Sequence, residues 1–238
     1  MCGLICYSGN FSKENFLDGL SKINHRGPDD RGYFIDETNF IGLGHTRLSI
    51  QDLTSQGHQP MISNCGDIIL IFNGEIYNFL ELKKNLEKKG YAFRSKSDTE
   101  VLLNLYIEMG KEMLENLNGI FSFIIYDKKK DELFISRDRF GIKPLYMFES
   151  ERGIAFSSEI KSLVSLVPDE KELDKKSIQK YISFLWCPGE GTPLKNIKKF
   201  PPGEAIIVKN KKIHKKWKYF QLPIFKNKNK EFNKNKLI

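Results

Sequence analysis

Short apolar runs bounded by turn residues recur along this chain, and alternation within them marks buried or half-buried strands. The pattern predicts strands near 3–7, 32–35, 40–45, 68–73, 119–126, 132–136, 145–148, 154–157 and 205–208. Polar connections such as Asp36-Glu37-Thr38-Asn39, Asn64-Cys65-Gly66-Asp67 and Lys128-Lys129-Lys130-Asp131 separate several of them, which favours antiparallel hairpins over parallel crossovers. Helical spacing appears in Phe16, Leu17, Leu20 and Ile23, with Ser12 placed to cap that helix. It recurs in Leu82 and Leu86 ahead of Gly90, and in Val101, Leu102, Leu105 and Tyr106 between Asp98 and Gly110. Asp174 caps a further expected helix carrying Ile178, Ile182 and Leu185. Strands in hairpins and helices in separate groups predict an α+β fold with antiparallel sheets covered by helices.

With 40% hydrophobic and 12% aromatic residues, 238 residues are enough for a sizeable core. No apolar run approaches the roughly 20 residues of a membrane span, and the first residues lack the basic start and cleavage site of a secretory signal. A cytoplasmic, non-membrane protein is the expectation. Cys2, Cys6, Cys65 and Cys187 show neither zinc spacing nor a disulfide framework, and no metal site is expected. The formal charge of +8 comes from the end of the chain: up to Val208 there are 27 basic and 29 acidic residues, whereas 209–238 holds 11 lysines and one glutamate. That stretch contains no arginine and no evident ordered basic face, so specific nucleic-acid recognition is not indicated. The Lys/Asn segment 226–236 is expected to be disordered.

The chemistry starts at Cys2. Removal of Met1 leaves a thiol and a free α-amine on one residue, and an amine with a pKa of roughly 7.7–8.0 is a suitable base for a thiol near neutral pH. On its own, a cysteine near a terminus reads equally as a small apolar residue. Four more segments look chemical: His25-Arg26-Gly27-Pro28-Asp29-Asp30, Gly44-His45-Thr46-Arg47-Leu48-Ser49-Ile50, Asn73-Gly74-Glu75-Ile76-Tyr77-Asn78 and Ser97-Asp98-Thr99-Glu100. An asparagine side chain beside a glycine N–H is suited to hold a developing oxyanion, although Asn-Gly is also a hairpin turn. Arg47 offers a planar fork for a carboxylate, with a surface charge as its alternative. Asp98 reads equally as the N-cap of the helix that follows it.

Together with Met1-Cys2-Gly3, these segments resemble the class II glutamine amidotransferases, whose glutaminase domain starts at an N-terminal cysteine. Arg137-Asp138-Arg139-Phe140-Gly141-Ile142-Lys143-Pro144-Leu145-Tyr146, Phe156-Ser157-Ser158-Glu159-Ile160-Lys161 and Phe200-Pro201-Pro202-Gly203 are similar to runs in glutamine-hydrolysing asparagine synthetase. The resemblance covers 2–217 and implies an N-terminal-nucleophile hydrolase fold, a four-layer αββα sandwich of two stacked antiparallel sheets flanked by helices, with 218–238 as a Lys/Asn-rich tail. It implies Cys2 as nucleophile, Asn73 and Gly74 as the oxyanion hole, and L-glutamine as substrate. Its α-carboxylate would be held by Arg47 with backbone groups of Leu48, Ser49, Ile50 and Gln51, and its ammonium by Glu75 and Asp98. The glycine of 25–28 suits a mobile or tightly turned flap. Thr46 departs from the family, which often has a basic residue there.

The glutaminase reaction needs no cofactor; ATP and Mg belong to a synthetase domain or a separate synthetase subunit, because the family's Ser-Gly-Gly-x-Asp-Ser phosphate loop is not found here. Three rival readings stay open: a glutaminase serving another acceptor, a non-catalytic assembly module, and a polyanion binder using the basic tail.

Overall fold

The computed structural model describes residues 1–223, so the segment 226–236 lies outside the described residues. In chain order the elements are β1 (Gly3–Gly9), α1 (Lys13–Ser21), β2 (Asp30–Asp36), β3 (Ile41–Arg47), β4 (Met61–Ile62), β5 (Ile68–Ile76), α2 (Phe79–Lys88), α3 (Asp98–Met109), β6 (Gly119–Asp127), β7 (Glu132–Arg137), β8 (Tyr146–Ser150), β9 (Gly153–Ser157), α4 (Ile160–Leu166), α5 (Lys175–Phe184), β10 (Ile197–Lys199), β11 (Glu204–Lys209) and β12 (Lys212–Lys218). They form two six-stranded sheets, ordered β10-β8-β9-β1-β3-β2 and β12-β11-β7-β6-β5-β4. All strand pairs in both sheets are antiparallel, and the three polar connections close hairpins β2–β3, β4–β5 and β6–β7 as expected.

Alternation along the strands decides which layer each residue enters. Leu4, Cys6, Leu43, Ile69, Ile71, Ile124, Ile135 and Ile206 meet between the sheets. Their neighbours point outward. Ile5, Tyr7 and Phe148 pack under α1 and α4, while Leu70, Phe72, Phe123 and Phe134 pack under α2 and α3. Both sheets are therefore covered on both faces, which makes the fold the expected αββα sandwich and explains why β1 is buried along its whole length. Ser12 caps α1 by accepting from the Asn15 N–H, and Asp174 caps α5 through the Lys176 N–H.

Two strands went unseen because they are too short to show a period, β4 and β10. The third, β12, was hidden by its composition: in Lys-Ile-His-Lys-Lys-Trp-Lys the lysines read as part of a basic tail. The structure pairs it with β11, so an ordered basic strand edges the second sheet. Lys216 reaches the buried Glu204 at 2.8 Å, and the Trp217 ring stacks on Phe134 with centroids 6.0 Å apart. Lysines on an edge strand also discourage sheet-to-sheet pairing with another molecule. Folded structure continues past 217, since the Tyr219 N–H donates to Gly203 O at 2.9 Å and its hydroxyl to Arg137 O at 2.7 Å. The helix at 160–166 was likewise unseen, its residues being read as a motif. α5 is where expected, but it ends at Phe184, with Leu185 as its left-handed C-cap, and its apolar residues do not enter the core: Ile182 is 71% exposed, and Ser177 is its one buried residue.

Trp217→Ala should lower unfolding free energy in urea by about 2 kcal/mol, because the ring covers Phe134. Lys215→Ala on the same strand should stay within about 0.5 kcal/mol. Equal effects would place Trp217 outside the folded unit.

Candidate active site

Pairing of Gly3 with Thr46 in the β1–β3 ladder brings Cys2 opposite Arg47. Gly3 has no room for a side chain there, as a Cβ would lie 2.6 Å from Thr46 Oγ1. Thr46 itself is fully buried and donates to Ile23 O at 3.1 Å, so this position is part of the packing. The Cys2 sulfur accepts from the Leu48 N–H at 3.4 Å and lies 3.7 Å from Leu48 O. Burial pushes the thiol pKa up, against smaller opposing effects of the Leu48 bond, the nearby terminal ammonium, Arg47 and Lys143.

Of the two readings of the segment 25–28, mobile or tightly turned, its contacts here fit the second. Arg26 Nε donates to Cys2 O at 2.9 Å, and its Nη1 meets Glu159 at 3.1 Å. A Cβ on Gly27 would collide with the Thr46 carbonyl and the Arg47 nitrogen, and Asp29 N–H donates to Arg47 O at 3.0 Å. The glycine serves close packing against the end of β3, with φ at −151°.

The second wall of the site is the outer edge of β5. β4 pairs only with Leu70 and Ile69, so beyond Leu70 that edge has no neighbouring strand among the described residues. Backbone groups of alternate residues point to it. The Phe72 N–H donates to Gln59 Oε1 at 2.7 Å, Phe72 O lies 3.0 Å from His45 Nε2, and the Ile76 N–H donates to Asp98 Oδ2 at 3.0 Å. By the same alternation the Gly74 N–H faces this edge between them. Glycine is required here by β6, since a Cβ would collide with Ile120 O. Asn73 is 1% exposed, and its Nδ2 donor has no partner among the described residues. An unpartnered buried donor costs about 1–3 kcal/mol, so it is a group waiting for an acceptor.

Asp98 was read as a possible N-cap; the structure gives that role to Ser97, whose Oγ accepts from the Thr99 N–H at 3.1 Å. Glu100 reaches back to accept from the Arg94 and Ser95 N–H groups, while the Ser97 N–H donates to Ser95 Oγ. Asp98 is thereby left to face the cleft, where burial first and then the charge of Glu75 push its pKa up to about 7. Glu75 and Gln51 are also brought together and bond to each other. Arg47 is buried, with its two terminal nitrogens donating to the carbonyls of Asp52 and Thr54, which leaves other donors of its fork unused. A Cβ on Gly57 would collide with this guanidinium.

One cleft is lined by Cys2, Arg47, Leu48, Ile50, Gln51, Asn73, Gly74, Glu75 and Asp98. Of the residues expected in the site only Ser49 stays out: its N–H is taken by Asp29 at 2.7 Å, and it turns to a neighbouring depression with His58. A glutamine amidotransferase domain model matches residues 1–220. The chain belongs to this family.

Among similar glutamine amidotransferase relatives, asparagine synthetase [glutamine-hydrolyzing] 1 of Bacillus subtilis is 43% identical over 88% of this chain. The putative asparagine synthetase [glutamine-hydrolyzing] 2 of Methanocaldococcus jannaschii is 37% identical over all of it. This chain spans 34% and 49% of their respective lengths. The solved glutamine phosphoribosylpyrophosphate amidotransferase of B. subtilis superposes with a TM-score of 0.70 at 20% identity, covering 93% of this chain and 50% of that one, a likeness of fold. It agrees with the two stacked antiparallel sheets described above. No helix among the described residues is long and apolar enough to cross a membrane.

Sequence reasoning missed Lys143, a buried cation in the cleft, and Gln59, which lines it behind Phe72. Lys143 sat in a run read only as a family marker, and Gln59 had no signal. Titration of the Asp98 carboxyl by NMR should find it half-ionised near pH 7, and Glu75→Gln should move that midpoint down. Losing a neighbouring negative charge favours the ionised form.

Proposed function

We propose that this chain hydrolyses the side-chain amide of L-glutamine to glutamate and ammonia through a thioester on Cys2. The observation that carries the reading is a partly buried thiol and an unpartnered Asn73 amide lining the same cleft. With its pKa raised by burial, the thiol is protonated at neutral pH and needs a base. No histidine is among the described residues lining the cleft. Met1 is exposed at the cleft mouth, and its removal turns the Cys2 nitrogen from an amide into an amine.

The amine then takes the thiol proton and the sulfur attacks the amide carbon. Negative charge gathers on the amide oxygen, where the Asn73 Nδ2 donor and the Gly74 N–H receive it. The C–N bond breaks as the α-ammonium returns its proton to the leaving nitrogen, releasing ammonia and leaving a thioester. Water attacks the thioester with the amine as base, and the thiolate departs from glutamate. Arg47 holds the substrate carboxylate, with Leu48, Ile50 and Gln51 around it, while Glu75 and Asp98 hold the ammonium. None of these steps uses a metal or cofactor.

The ammonia serves ATP- and Mg-dependent amidation of aspartate on a synthetase domain or separate subunit. The relatives are named for both reactions and are two to three times the length of the part matched here, so the second activity has length of its own to reside in. α5 and the residues just past its end supply a surface for it: Tyr181, Ile182 and Phe184 on the helix and Leu185 and Trp186 after it are all exposed apolar side chains. All four cysteines are free, which suits the reducing cytoplasm.

Protein whose intact mass shows loss of Met1 should release ammonia from glutamine, and Cys2→Ala should not; equal activity in both overturns the mechanism. Asn73→Ala should lower kcat by about 10²–10³-fold. Because Asp98 must be ionised to meet an ammonium, and is half-protonated near pH 7 when free, KM for glutamine should fall as pH rises from 6 to 8. Asp98→Asn should flatten that dependence and raise KM throughout.

A further inference from the structure

We infer that His45 and Gln59 form a clamp on Phe72 that aims the two oxyanion donors, Asn73 and Gly74, and so act as positioning residues for thioester formation. The inference rests on the glutaminase reading above. Its basis is the bare edge of β5, where alternate residues 72, 74 and 76 turn their backbone groups outward. Strand pairing would hold such an edge, yet β4 stops at Leu70. Side chains replace it. Gln59 Oε1 accepts the Phe72 N–H at 2.7 Å, and His45 Nε2 lies 3.0 Å from Phe72 O. A carbonyl only accepts, so the imidazole proton sits on Nε2.

Both side chains are buried, His45 completely, and they come from different parts of the fold. His45 is on β3, directly across from Leu4 on β1, the strand that Cys2 leads into. Gln59 is on the segment between Arg47 and β4. The clamp therefore references the donors to the strands that carry the nucleophile and the carboxylate-binding arginine. It also has a cost. With Nε2 donating, Nδ1 is an acceptor, and it is buried without a partner among the described residues. An apolar side chain would remove that cost but leave the Phe72 carbonyl without a donor, so what the histidine secures here is the hold on Phe72. Burial holds the imidazole neutral, with its pKa pushed down to about 3.

An oxyanion donor acts on the transition state and not on bound glutamine, whose ends are held by Arg47, Glu75 and Asp98. Loosening Phe72 should therefore change kcat and leave KM alone. The test compares Gln59→Met, His45→Phe and His45→Gln with wild type, all with Met1 removed, in three measurements: glutamine turnover, alkylation of Cys2 by iodoacetamide, and amide exchange at Phe72. Alkylation is a displacement at carbon that forms no oxyanion, so it reports the thiol without the donors.

The expected result for Gln59→Met and His45→Phe is a kcat lower by about 10²-fold, with KM and alkylation rate within about twofold. The Phe72 N–H should exchange faster in Gln59→Met. His45→Gln keeps an N–H donor and should recover part of the lost kcat. Unchanged kcat in either folded variant, or equal losses in turnover and alkylation, would overturn the clamp. Wild-type turnover that survives Cys2→Ala would instead defeat the glutaminase reading, while the exchange at Phe72 still reports whether the clamp holds the strand.

Discussion

The antiparallel register of β1 on β3 is the constraint from which the site follows. It puts Gly3 against Thr46, and one step further along the same ladder puts Cys2 beside Arg47 and Leu48. Three glycines keep this end of the sheet tight: Gly3 and Gly27 pack against the backbone or side chains around Thr46, and Gly57 lies under the Arg47 guanidinium. A side chain on any of them would separate the sulfur from the loop that faces it. The same strand carries His45 across to β5 in the opposite sheet. Cys2, Arg47 and the Asn73–Gly74 pair thus derive their spacing from one ladder and the sheet-to-sheet packing beneath it, and little of it depends on loop conformation.

Several groups in the cleft are held in states that water would relieve. The Cys2 thiol is raised by burial, Asp98 is poised near pH 7 beside Glu75, and Asn73 Nδ2 is a donor without a partner. Each is unfavourable for an isolated fold, and in the proposed mechanism each meets one part of an amino-acid amide: its carbon, its ammonium and its carbonyl oxygen. A module that kept the fold only for assembly would have no physical reason to retain all three. A purely electrostatic role for the chain fits poorly too, because the basic strand β12 is engaged with Glu204 and lies in the sheet order at the far edge from β5.

What was legible in the sequence was whatever depends on local pattern or on residue types set at close spacing. Nine strands, four of the five helices and the antiparallel hairpins follow from alternation and turn chemistry, and the site segments from nucleophile, amide, arginine and carboxylate types. Other features depend on partners distant in sequence. Ser97 rather than Asp98 caps α3 because Ile76, 22 residues earlier, claims the Asp98 carboxylate. Gly27 is a packing glycine because β3 runs beneath it, and Ser49 leaves the cleft because Asp29 takes its N–H. β12 was masked by charge, since a strand at a sheet edge needs apolar residues on one face only, and Trp217 supplies most of that face.

If the chain is a glutaminase as proposed, the exposed face of α5 bears on how ammonia is used. Ammonia is small and neutral in its reactive form, so a glutaminase that feeds a synthetase gains nothing if the product reaches bulk water first. Confinement requires a cover, and a cover requires buried area. On this sandwich the helices α1 to α4 already spend their apolar faces on the two sheets. α5 does not: its large apolar residues stay in solvent, although its sequence has the spacing of an ordinary core-facing helix. Burying even a few such side chains is worth roughly 1.5–3 kcal/mol each. Folded, capped and amphipathic yet largely exposed, α5 stands apart from the other α-helices among the described residues.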